Sequence, residues 1–94
     1  MTDEGADWES IGFILASEYR RKIFFHLDEK YSTPTDIALA TGFRPGHVSD
    51  VLMDLRKKGL VECKNPNIKK GRLYAHTNKG KEIMAMLKKI KNKS

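Results

Sequence analysis

Between positions 44 and 53 the chain sets Arg44, Gly46, His47, Ser49, Asp50 and Met53 around a second set, Val48, Val51, Leu52 and Leu55. The second set recurs at i, i+3, i+4 and i+7, the stripe of a helix docked on a core. The first set therefore faces away from that core, with Arg44 just ahead of the helix. These side chains hydrogen-bond rather than react. Arg44 can hold guanine O6 and N7 with two hydrogen bonds, or grip a phosphate. His47 and Ser49 can each bond a base or a phosphate, and Met53 can touch a thymine methyl. Gly46 lets the backbone come close to a groove wall. Asp50 can accept from cytosine N4 or form an ion pair with Arg44 or Arg56, and the ion pair is the favoured reading. A plain solvated helix face is the alternative for Arg44 and Ser49.

Asp50 and Asp54 repel phosphates, so attraction for a polyanion has to come from elsewhere. Residues 1–55 carry 5 Lys/Arg against 10 Asp/Glu, a net of −5, whereas residues 56–94 carry 13 against 2, a net of +11. Lys64, Lys69, Lys70 and Arg72 cluster around the turn residues Asn65, Pro66, Asn67 and Gly71. Leu60–Lys64 and Arg72–Thr77 read as the two strands that this turn joins. The tip can grip phosphates, and Arg72 suits a narrow minor groove. A basic turn also keeps an edge strand from aggregating, and a lysine-rich surface is compatible with simple solvation.

Elements that position these residues follow from the pattern on either side. Residues 7–15 read as a short amphipathic helix with Trp8, Ile11, Ile14 and Leu15. Ser17 is a candidate N-cap for a helix from about 18 to 29, with Tyr19, Ile23, Phe24 and Leu27 on one face. Thr33 caps the next helix, Pro34 opens it, and Ile37, Ala38 and Leu39 are expected to face inward. Gly42 supplies the left-handed conformation of a sharp turn. Pro45 then starts a helix running to about residue 58, with Gly59 just past its end. Thr33 and Thr35 can offer hydroxyls or backbone N–H groups to a phosphate, or serve only as caps. A last helix over 78–92 starts at Thr77 or Asn78 and carries Ile83, Met84, Met86, Leu87 and Ile90. Residues 1–6 are expected to form a disordered tail and Lys91–Ser94 to fray.

Catalytic and metal chemistry is expected to be absent. His26, His47 and His76 are scattered, and no close Cys or His pair exists to ligate a metal. No nucleophile–base pair or glycine-rich phosphate loop suggests an enzyme. His26 reads as structural, Cys63 as a small packed side chain, and Asp28–Glu29 as a helix-end cluster facing water. The acidic start lacks the apolar stretch of a secretory signal, no apolar run spans a bilayer, and a lone cysteine fits a reducing compartment. A cytoplasmic, nucleoid-associated protein without cofactors is the expectation.

Ninety-four residues suffice for one domain: α+β, mostly helical, with a helix-turn-helix at 33–56, a two-stranded wing hairpin and flanking terminal helices. Residues 17–23 (Ser-Glu-Tyr-Arg-Arg-Lys-Ile), the pattern Ile37, Ala38, Gly42, Val48, Ser49, Leu52, Leu55, Gly59, Leu60 and Val61, and the stretch Gly71, Arg72, Leu73, Tyr74, Thr77 and Gly80 are similar to ArsR/MarR-type winged helix-turn-helix transcriptional regulators, especially small archaeal ones. The similarity runs from about residue 10 to 87. It implies a sequence-specific regulator of double-stranded DNA, with the helix at 45–58 in the major groove and the wing at 64–72 on the backbone or in the minor groove. It also implies a homodimer. Trp8, Ile11, Ile14, Met84, Leu87 and Ile90 exceed what a compact core needs and are expected to pack between subunits, the alternative being that they cap their own core. Metal-sensing relatives carry Cys and His clusters that this chain lacks. Winged helices also serve as protein-interaction or RNA-binding modules, and a nonspecific chromatin-type binder would use the same charge without reading bases.

Overall fold

The computed structural model describes residues 4–92, with side chains from Trp8 to Ile90. Five helices and one hairpin follow each other as α1 (Glu4–Leu15), α2 (Glu18–His26), α3 (Pro34–Thr41), α4 (Pro45–Lys57), β1 (Val61–Cys63), β2 (Tyr74–His76) and α5 (Asn78–Asn92). Residues 4–6, expected in a tail, form the first turn of α1; residues 1–3 lie outside the described range.

Local chemistry sets most boundaries. The Ser17 hydroxyl accepts from the Arg20 N–H and starts α2, and Thr33 Oγ1 accepts from the Asp36 N–H and starts α3. Pro34 and Pro45 occupy the first turns of α3 and α4, where an absent N–H costs nothing. Gly42 ends α3 at φ 80°, its N–H bonded to the Ala38 carbonyl. After α4, the Leu60 N–H reaches back to the Leu55 carbonyl at 3.0 Å, the reverse turn that closes a helix C-terminus. Helix α2 stops at His26 rather than 29: Leu27 is its C-cap and Glu29 takes φ 57°.

Each helix gives one face to a shared core. Ile11 and Ile14 of α1, Ile23 and Phe24 of α2, Ile37 and Ala38 of α3, the Val48–Val51–Leu52–Leu55 stripe of α4, and Ile83, Met84 and Leu87 of α5 meet there with Leu27, Leu60 and Val61. Each fully buried aliphatic chain is worth about 1.5–3 kcal/mol, so the α4 stripe alone fixes that helix firmly. Leu39 is the exception: it is 79% exposed. The buried α3 residues Ile37 and Ala38 define a narrow face, and Leu39 lies a further 100° round the helix.

The hairpin is antiparallel, with Val61 opposite His76 and Cys63 opposite Tyr74. Its strands are shorter than the 60–64 and 72–77 expected. On the other side of β2, Ser32 exchanges backbone hydrogen bonds with Tyr74, 3.0 and 2.8 Å, so the loop before α3 acts as a third strand one residue long. Thr77 joins the wing to α5: its hydroxyl donates to the Gly59 carbonyl at 2.6 Å and accepts from the Gly80 N–H. Asp28, expected to face water, instead bridges to Lys88 of α5 at 2.8 Å.

Candidate nucleic-acid interface

Helix α4 turns its buried stripe to the core and leaves Gly46, Ser49, Asp50 and Met53 exposed on the opposite side. These four are spaced i, i+3, i+4 and i+7 and share one face. Arg44 stands exposed at the N-cap position, at the front of that face, and its side chain makes no capping hydrogen bond and no ion pair among the described residues. Asp50 forms no ion pair among the described residues, which overturns the expected pairing with Arg44 or Arg56. Each arginine is six positions away, whereas helix neighbours meet at three or four. Asp54 is likewise without an ion pair among the described residues; it lies beside Phe13, Arg20, Lys57 and Lys58.

His47 is exposed but not free to swing. Its ring lies 4.0 Å from that of Tyr19 on α2, tilted by 35°, and Tyr19 lies 4.5 Å from Phe43 in the turn before α4. The sequence placed Tyr19 on the inward face of α2; it is 43% exposed and sits beside the front of α4 instead.

Thr33 and Thr35 flank the start of α3. Thr33 Oγ1 accepts from the Asp36 N–H and caps α3, and Thr35 is exposed.

The wing tip is fastened by one residue. Asn65 Oδ1 accepts from the Leu73 N–H at 2.7 Å and from the Cys63 thiol at 3.5 Å, while Asn65 Nδ2 donates to the Gly71 carbonyl at 3.2 Å. Arg72 Nε donates to the Ile68 carbonyl at 2.7 Å, which holds the guanidinium against the tip. Gly71 turns the chain at φ 74°. Lys69 and Lys70 are exposed and make no ion pair among the described residues. Lys64 differs: it pairs with Glu62 at 3.3 Å and lies over the Tyr31 ring, so its charge is partly offset. Ile68 adds an exposed apolar side chain to the tip.

The residues expected between subunits divide. Ile11, Ile14, Met84 and Leu87 are at most 3% exposed and belong to the subunit's own core, so the surplus apolar surface is smaller than their spacing suggested. The helix stripe is the same whether it docks within or between chains. Trp8 and Ile90 remain exposed, and Leu15 joins them. A groove of about 340 Å³ lined by Leu15, Arg21, Lys22, Phe25, Leu87 and Ile90 opens on this side.

Two residues escaped the sequence reading. His76 is buried, stacked on Phe24 with ring centroids 4.1 Å apart, and its Nε2–H donates to the Phe24 carbonyl at 2.8 Å, which leaves the buried Nδ1 without a partner. Asn65 read only as a turn former. His26, as expected, is structural, its Nε2 3.2 Å from the Ser32 hydroxyl. Among the described residues no group of three or more His, Cys, Asp or Glu side chains could hold a metal, and no helix is long and apolar enough to cross a membrane.

Helices α2, α3 and α4, a hairpin that packs against α4, and the open outer face of α4 make one recognisable arrangement. The fold is a winged helix. No family model matches the sequence, and no curated protein matches it. Solved structures do. HlyU from Vibrio cholerae superposes with a TM-score of 0.76 at 19% identity, covering 96% of this chain and 97% of that one. The homodimeric winged helix-turn-helix DNA-binding domain of a possible ArsR-family transcriptional regulator from Mycobacterium bovis gives 0.75 at 22%, covering 98% and 87%. A MarR family regulator from Neisseria meningitidis gives 0.75 at 23%; the match covers 90% of this chain but 61% of that regulator. The winged helix-turn-helix fold read from the sequence is thus the one observed.

Proposed function

We propose that this protein is a sequence-specific, double-stranded DNA-binding transcriptional regulator that acts as a homodimer. One observation carries the reading: α4 is held by its apolar stripe while Arg44, Gly46, Ser49, Asp50 and Met53 stand open, beside a wing whose Lys69 and Lys70 are free of ion pairs among the described residues. The α4 front enters the major groove, where Arg44 and Ser49 read base edges and Asp50 accepts from a cytosine amine. An unpaired carboxylate suits that role better than an ion pair would, because it keeps its acceptor capacity. The wing supplies phosphate attraction, with Lys69, Lys70 and Arg72 along the backbone or in the minor groove and Thr35 at a neighbouring phosphate. Trp8, Leu15 and Ile90 form the contact between subunits. Support also comes from the homodimeric DNA-binding domain and the regulators that share the fold.

The salt dependence of binding tests it. Each phosphate neutralised adds roughly 0.9 to the slope of log affinity against log salt. Replacing Lys69, Lys70 and Arg72 together by Ala lowers that slope by about two to three and weakens all duplexes alike. An unchanged slope and affinity would mean that the wing does not touch DNA.

A further inference from the structure

We infer that Tyr19, on α2 and outside the helix-turn-helix, is a specificity-determining positioning residue: its ring is the shelf that fixes the His47 imidazole for base readout. The inference rests on the DNA-binding reading above and extends it to a residue outside the helix-turn-helix. His47 occupies the third position of α4, in the first turn, where a recognition helix meets base edges. An exposed histidine in that position would normally sample several rotamers. Here the ring is in contact with that of Tyr19, the centroids 4.0 Å apart and the planes tilted by 35°. Tyr19 is itself braced by Phe43 at 4.5 Å, and Phe43 packs on the core. The chain of contacts therefore runs from the core through the turn and α2 to the imidazole.

The contact with Tyr19 occupies one side of the His47 ring, and the ring edge, which carries the two nitrogens, serves for hydrogen bonding. A ring already held in place loses less freedom when it binds. Fixing one such side chain in advance is worth about threefold to tenfold in affinity, and that gain applies only to duplexes with a matching acceptor or donor at the contacted base pair. Tyr19 is close to half exposed, so removing it disturbs the fold little. It acts through His47 and need not touch DNA itself.

The experiment compares the wild-type chain with Tyr19→Leu, Tyr19→Phe, His47→Ala and the Tyr19→Leu/His47→Ala double variant. The probe is a duplex selected by the wild type from a randomised library. Tyr19→Leu is expected to bind it about threefold to tenfold more weakly, with the salt slope unchanged and discrimination lost at one base pair. Tyr19→Phe keeps the wild-type behaviour, because the ring and not the hydroxyl is the shelf. In the His47→Ala background Tyr19→Leu adds no further loss. Equal losses in both backgrounds, or no loss at all, overturn the role of Tyr19. A wild type that selects no sequence overturns the DNA-binding reading, and the role of Tyr19 falls with it. Proton NMR of the free wild-type protein gives a check independent of any variant's folding: cross-relaxation between the Tyr19 and His47 rings is expected, and its absence overturns the shelf.

Discussion

His76 has no place for a second proton. Nε2–H is committed to the Phe24 carbonyl, and Nδ1 is buried with no acceptor beside it. Burial pushes its pKa below the usual histidine value, aided by Lys81 and Lys88 and opposed by the Phe24 carbonyl and Asp28. His26 is lowered too, by burial first and then Lys30, against Asp36. Both rings are therefore more readily protonated in the unfolded chain. Their contribution to stability is fully present above about pH 6.5 and is lost as pH falls toward and through the lowered folded values. Thermal melts between pH 8 and 5 should show the midpoint falling across that window, and still falling in His26→Gln. A flat or rising profile would contradict this account of His76. On the reading face, Arg44→Ala or Ser49→Ala should change which duplex is preferred while leaving random-duplex affinity and the salt slope nearly intact. A uniform loss across sequences would instead make those residues phosphate contacts.

Among the elements, α3 and α4 were the most legible, because Thr33, Pro34, Gly42, Pro45 and Gly59 are local signals whose chemistry acts within a turn or two. The α4 stripe was legible for the same reason. The wing was legible as a hairpin but not in its details. Strands of three residues carry too little alternation to set ends or register, and the Asn65 clamp depends on Leu73, eight residues away. Leu39 and Tyr19 misled because a helical pattern gives a face, not what covers it. Two tests belong to this scale. A Cβ on Gly80 would drive into the Leu60 carbonyl where α5 crosses the turn after α4. Gly80→Ala should therefore destabilise the fold despite its better helix propensity, and a rise in melting temperature would refute that close approach. Asn65→Ala removes the side-chain hydrogen bonds to Leu73, Gly71 and Cys63 and should weaken DNA binding by severalfold with only a small change in melting temperature. Unchanged binding would show that the clamp is irrelevant to the wing's role.

For the molecule as a whole, Trp8 and Leu15 of α1 and Ile90 of α5 leave apolar surface exposed. The sequence could not separate core from interface there, since Leu87 and Ile90 lie on one stripe and only packing tells them apart: Leu87 is 3% exposed and Ile90 42%. Leu87→Glu would break the core and so cannot test assembly. Leu15→Glu with Ile90→Glu leaves the core alone. Sedimentation at micromolar concentration should give a dimer for the wild type and a folded monomer for this variant, with much weaker binding to a two-half-site duplex. A wild-type monomer throughout would end the dimer proposal. Two α4 helices related by a two-fold axis would read half-sites about one helical turn, roughly 34–36 Å, apart.

The central claim is that the open front of α4 reads sequence in double-stranded DNA. Competition binding tests it most directly: a labelled duplex selected from a randomised library is titrated with the protein at physiological salt, against random duplex and against RNA of matched length. Random duplex is expected to compete at least about a thousandfold less well than the selected duplex, and RNA no better. Equal competition by random duplex, or a preference for RNA, would contradict it.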